Sequence, residues 1–124
     1  MGFSMTVKGF KGLLVWQHAV DLSGSIYSIT KNFPKDELFG LTSQMRRCSV
    51  SVASNIAEGS KRNTKGEFIQ FIGIAKGSLA ELQTQAIIAN KAGILSHEIL
   101  VNLEQNIEII SRMLVQLQRS LKAE

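Results

Sequence analysis

Four stretches of this chain repeat apolar residues at alternating intervals of three and four, and few folds accept that pattern. Val15, Ala19, Leu22, Ile26, Ile29 and Phe33 form the first ladder. Ile72, Ala75, Leu79, Leu82, Ala86 and Ala89 form the third, and Leu100, Leu103, Ile107, Ile110, Leu114, Leu117 and Leu121 the fourth. Each is the stripe of a helix that buries one face against other helices. The second ladder, Leu38, Leu41, Met45, Cys48, Val52, Asn55 and Gly59, carries an asparagine among its members. An amide in such a seam costs stability unless it is hydrogen-bonded, so Asn55 is expected to sit inside and fix register.

The punctuation between the ladders sets the helix limits. Residues 1–12 contain Gly2, Gly9 and Gly12 without periodicity and read as a loose N-terminal arm ahead of a single domain over 13–124. The first helix is expected over about 13–33 and stops at Pro34, because the residue before proline avoids helical geometry. Asp36 is placed to cap the second helix, over about 37–58, and Gly59 to close it. Thr64-Lys65-Gly66-Glu67 has the spacing of a capping box and opens the third helix, which reaches about 92. Gly93 ends that helix and Ser96 caps the fourth. Helices joined by short loops predict an all-α fold, an antiparallel up-down-up-down four-helix bundle, with crossings of about 20°. Gly73 and Gly77, one turn apart and followed by Ser78, read either as a slot for Arg46 or Arg47 or as plain close packing.

Apolar residues also lie beside the ladders: Trp16, Val20, Val50, Ala53, Ile69, Ile87, Ile88, Val101, Ile109, Met113 and Val115. One bundle core does not need them, so a second buried face and self-association are expected. The single cysteine cannot form an internal disulfide, which fits a reducing compartment and a cytoplasmic protein. No apolar run is long enough to span a bilayer, so no membrane partner is expected.

Catalytic chemistry finds little support. Cys48 falls on a seam, where a buried inert thiol is the simpler reading. His18 and His97 have no carboxylate partner in sequence. Metal-binding spacings and a phosphate loop are both missing. No catalytic residue, metal site or cofactor is therefore assigned. The formal charge of +4 permits an acidic partner. Lys61, Arg62 and Lys65 cluster at the start of the third helix, where amides and the helix dipole attract anions. With Arg46, they are the candidate nucleic-acid-binding residues; a solvated turn is the alternative.

Several motifs together resemble a known family. They are Val15-Trp16-Gln17-His18-Ala19, Phe33-Pro34, Glu37-Leu38-Phe39-Gly40-Leu41, Gln44-Met45-Arg46-Arg47, Asn55-Ile56-Ala57-Glu58-Gly59 and Gly77-Ser78-Leu79-Ala80-Glu81-Leu82. The chain resembles the 23S rRNA-intervening-sequence protein family, the four helix bundle proteins, from about residue 13 to 121. That resemblance implies an antiparallel bundle assembled into a ring-like homopentamer. It implies a small bacterial protein, in some cases encoded inside insertions of ribosomal RNA genes. The family is similar in fold to the accessory protein of diversity-generating retroelements, which binds a reverse transcriptase and nucleic acid. No enzymatic activity comes with the resemblance. Its motif residues Arg47, Asn55, Glu58 and Glu81 are candidates for a structural polar network within or between subunits.

Three functional readings result. The first is a non-enzymatic, oligomeric bundle binding RNA or a ribonucleoprotein through the basic corner. The second is a protein-interaction scaffold, of the reverse-transcriptase accessory type, without nucleic-acid contact. An enzyme is the third.

Overall fold

The structure, a computed structural model, describes residues 9–124. Residues 1–8 of the expected arm lie outside the described residues. The last part of that arm is ordered as a short 3-10 turn, Gly9–Gly12. The Phe10 ring packs edge-on against Trp16, with centroids 5.2 Å apart. An aromatic residue between two glycines was the signal that this stretch had something to hold on to.

Four α-helices follow: α1 Leu14–Thr30, α2 Ser43–Ser60, α3 Lys65–Lys91 and α4 His97–Ala123. Neighbours run antiparallel, as their cross-contacts show. Ser23 meets Ser49 while Thr30 meets Arg46. Ser51 meets Ser78 while Gly59 meets Phe71. Gln83 meets Glu104 while Ile69 meets Gln118. The first helix closes the ring against the fourth, with Ile29 beside Leu103 and Val15 beside Leu117. Ile26, Met45, Ile56, Ile72, Leu79, Leu82, Leu103, Ile110 and Leu114 are fully buried at the centre.

The chain stops being helical at Thr30, earlier than the ladder implied. The Thr30 hydroxyl donates to the Ile26 carbonyl at 2.7 Å, and a tighter turn then brings Phe33 back into the core before Pro34. The expected start of the second helix is also corrected. Lys35–Glu37 is a 3-10 turn and Leu38–Thr42 a π-type turn, with Gly40 far from helical geometry at φ −112°, ψ −116°. Glu37 rather than Asp36 caps this segment, its carboxylate accepting the Leu41 amide at 3.1 Å. Leu38 consequently faces solvent, and Phe39 is 92% exposed.

Asn55 is not in the seam. The buried line of α2 is Met45, Cys48, Ser49, Val52, Ile56 and Gly59. Ile56 takes the inward place because burying its side chain gains more than burying an amide. Asn55 sits half-buried on the flank and donates to the Ser51 carbonyl at 2.8 Å. The polar residue actually inside is Ser49, which donates to the Arg46 carbonyl at 2.9 Å and meets the Ser23 hydroxyl at 3.1 Å.

The helix ends otherwise follow their signals. Thr64 accepts the Glu67 amide at 3.1 Å, and its hydroxyl, in place of the backbone amide that a capping box uses, donates to the Glu67 carboxylate. Gly93 adopts φ +78°, and Ser96 accepts the Ile99 amide at 3.2 Å.

Where α2 meets α3 the tight glycine is Gly59, not the pair in α3. A Cβ on Gly59 would lie 2.6 Å from the Phe71 Cβ and 2.9 Å from the Phe68 ring. A Cβ on Gly77 would meet nothing within 4 Å, so Gly77 forms no slot within the chain. Gly59→Ala is therefore expected to destabilise the bundle by roughly 1–3 kcal/mol through overpacking. Gly77→Ala is expected to be neutral or to stabilise by up to about 1 kcal/mol, through helix propensity. Urea unfolding of both variants checks the pair, and the opposite ranking would contradict it.

Candidate nucleic-acid interface

The turn from α2 to α3 presents its cations at one end of the bundle. Lys61 follows the last turn of α2, and its ammonium lies 5.8 Å from the Phe10 ring centroid. The Arg62 guanidinium lies 5.0 Å from the Phe71 centroid, with Nε 3.7 Å from the Glu67 carboxylate. Lys65 opens α3 and is tied to Glu124, donating to its backbone carbonyl at 3.0 Å. Lys61 and Arg62 are exposed, whereas Lys65 is half-buried. The α3 N-terminus is partly occupied from within, since Thr64 takes the Glu67 amide and Glu67 itself faces the positive pole.

The structure does not bring Arg46 to this corner. It lies about 22 Å away along α2, at 1.5 Å per residue. Its Nε donates to the Thr30 hydroxyl at 2.8 Å, and its guanidinium lies 4.8 Å from the Tyr27 centroid. Arg46 joins α1 to α2; it is neither in a glycine slot nor in the cationic cluster. Sequence spacing could not reveal this, because Thr30 and Arg46 meet only once α1 and α2 are side by side. What spacing also missed is the company the corner keeps. The Gly9–Gly12 turn brings Lys11, and the last turns of α4 bring Arg119 and Lys122, to the same end of the bundle.

A second polar feature runs along the outer edge of α2 and α3. The antiparallel register pairs Gln44 with Gln85, Arg47 with Glu81, Ser51 with Ser78, and Arg62 with Glu67. The serine rung is closed, its hydroxyls 3.0 Å apart. Arg47 and Glu81 are exposed, and neither makes a hydrogen bond or ion pair among the described residues. Glu58 is also exposed. The expected polar network of Arg47, Asn55, Glu58 and Glu81 is thus not formed within the subunit; of the four, only Asn55 is bonded, to Ser51. The reason is the register: Val52 and Ile56 on α2, and Leu79 and Leu82 on α3, take the inner positions and leave these residues on the flank.

Cys48 lies at the floor of this edge, 8% exposed, and its thiol donates to the Ser78 carbonyl at 3.1 Å. Burial, with the Glu81 carboxylate nearby, pushes the thiol up to about 11. His18 and His97 are both exposed, on α1 and at the start of α4. Among the described residues, no three His, Cys, Asp or Glu side chains gather as a metal set. No helix among them is long and apolar enough to cross a membrane.

Comparison with known proteins places this architecture. No curated protein matches the chain. Its fold is similar to a crystal structure of a protein with unknown function, from the S23 ribosomal protein family, from Bacteroides thetaiotaomicron VPI-5482. The TM-score is 0.79 at 17% identity, covering 86% of this chain and 96% of that one, a likeness of fold. The family model described as 23S rRNA-intervening sequence protein matches residues 11–116. With its helices, turn signals and sequence motifs accounted for over that span, the chain belongs to the 23S rRNA-intervening sequence protein family.

Proposed function

We propose that this protein is a non-enzymatic, oligomeric bundle of the bacterial cytoplasm that binds RNA, or a ribonucleoprotein, through its cationic end. The observation that carries the reading is the convergence of Lys11, Lys61, Arg62, Lys65, Arg119 and Lys122 on one end, opposed there by Glu58, Glu67 and Glu124. Clustered cations gain from a polyanion by releasing its condensed counterions, whatever the base sequence. The nearby Phe10 and Phe71 rings hold Lys61 and Arg62 in place without neutralising them.

Self-association is supported by apolar residues left outside the core. Val20, Tyr27 and Val50 are exposed along an α1–α2 groove that also includes Trp16 and Ala53. Ile74, Ile88, Val101 and Ile109 are exposed on α3 and α4. Surfaces of this kind are costly to leave in water. The proposed assembly is a homopentamer, as the resemblance to the family implies. A second reading is the protein-interaction scaffold, favoured by Phe39, which the π-type turn presents almost wholly to solvent.

Replacing Lys61, Arg62 and Lys65 together by alanine is expected to weaken RNA binding. It should also flatten the slope of log K against log salt by up to about 2, if three phosphate contacts to a single strand are lost. Fluorescence anisotropy over a salt series measures this, and an unchanged slope would remove the RNA reading in favour of the scaffold. Light scattering is expected to give the mass of a multimer at micromolar concentration; a monomer would refute assembly. A nucleophilic role for Cys48 is opposed by its protonation. At pH 8 its thiolate is expected to be on the order of a hundredfold scarcer than that of a free cysteine. Iodoacetamide labelling should be correspondingly slow in native protein and faster in Glu81→Gln, which removes the nearby negative charge. Equal rates in native and unfolded protein would contradict this.

A further inference from the structure

The outer edge of α2 and α3 contains a groove of about 350 Å³ that the cationic end does not use. Its walls carry opposite charges on one rung: Arg47 on α2 and Glu81 on α3. The two face the same groove, yet no ion pair within 4.0 Å joins them. Below them the Ser51–Ser78 rung is closed, so the groove has a polar floor at that side. On the next rung the other way, Gln85 Oε1 is buried without a hydrogen-bond partner. A buried acceptor without a donor is a cost that the chain alone does not relieve. The groove therefore offers a paired donor fork on one wall, a paired acceptor on the other, and an unanswered acceptor between the helices.

We propose that this groove binds a guanine base. Guanine has two N–H donors side by side on its Watson–Crick edge, which match the Glu81 carboxylate. Its O6 and N7 acceptors match the Arg47 guanidinium, the commonest specific pairing in base readout. Adenine sets a donor beside an acceptor on both of these edges, so each wall meets it half-mismatched. A purine bound edge-on in this way must be unstacked, which selects single strands, loops and ends over duplex. The base can come from a free guanine nucleotide or from RNA. The RNA source rests on the function proposed above, and Arg47 lies about 21 Å along α2 from Lys61. One short single strand can span both.

The test uses the full chain with two probes. Guanosine monophosphate, with adenosine and inosine monophosphates as controls, is titrated while backbone amide shifts are followed by NMR. Uridine oligonucleotides carrying a single guanine, adenine, inosine or 7-deazaguanine are compared by anisotropy. The expected result is about tenfold tighter binding of the guanine oligonucleotide than the adenine one, within the range for a bidentate pair. Inosine, lacking a donor for Glu81, and 7-deazaguanine, lacking an acceptor for Arg47, should each lose part of that preference. Glu81→Gln should abolish the penalty for inosine, and Arg47→Ala the penalty for 7-deazaguanine. Both residues are exposed, and circular dichroism of the variants checks that they fold. Guanine and adenine binding alike, or a guanine preference that survives both substitutions, overturns the proposal. RNA binding that depends on Lys61, Arg62 and Lys65 but shows no guanine preference overturns the base site alone. Guanosine monophosphate shifting the groove amides, with RNA indifferent to those cations, upholds the base site and removes the RNA reading.

Discussion

The approach of α2 to α3 at Gly59 is the constraint on which the other features hang. With no side chain there, Phe68 and Phe71 press against the α2 backbone, and this close approach belongs to the register the two helices adopt. From that register follow the Cys48–Ser78 and Ser51–Ser78 contacts, the facing of Arg47 and Glu81, and the meeting of Arg62 with Glu67. A shift by one turn would break every one of these pairs together. The motif residues thus belong to one geometric system, although the sequence spreads them over two helices.

The charge distribution shows how little a formal charge of +4 says by itself. What matters is that three chain segments distant in sequence deliver cations to one end. Residues 9–12, the α2–α3 turn and the end of α4 converge because an even number of antiparallel helices returns the chain to the end where it began. Topology turns a modest average into a local field, while Arg46, of the same residue type, is spent on fastening α1 to α2.

The bundle was legible because its signals were local. The ladders of α1, α3 and α4, the Thr64 and Ser96 caps and the left-handed Gly93 each depend on residues within a turn or two. The stretch 35–42 was not legible, since an apolar pattern cannot tell an α-helix from the 3-10 and π-type turns that form there. Asn55 was misplaced because a strict seven-residue repeat drifts from the 3.6-residue turn, and one step decides whether Asn55 or Ile56 goes inside. At the candidate site, Lys61, Arg62 and Lys65 were readable as neighbours in the chain. Lys11, Phe10 and the α4 residues were not, because their proximity exists only in the folded bundle.

The Gly59 contact lies only a few residues from the turn that joins its two helices, and this bears on how the chain reaches its final form. Closing so short a loop forfeits little chain entropy, so the α2–α3 hairpin can assemble before more distant partners are in place. The outer helices then have a ready-made surface to dock upon, and a single missing methyl group is what lets that surface form.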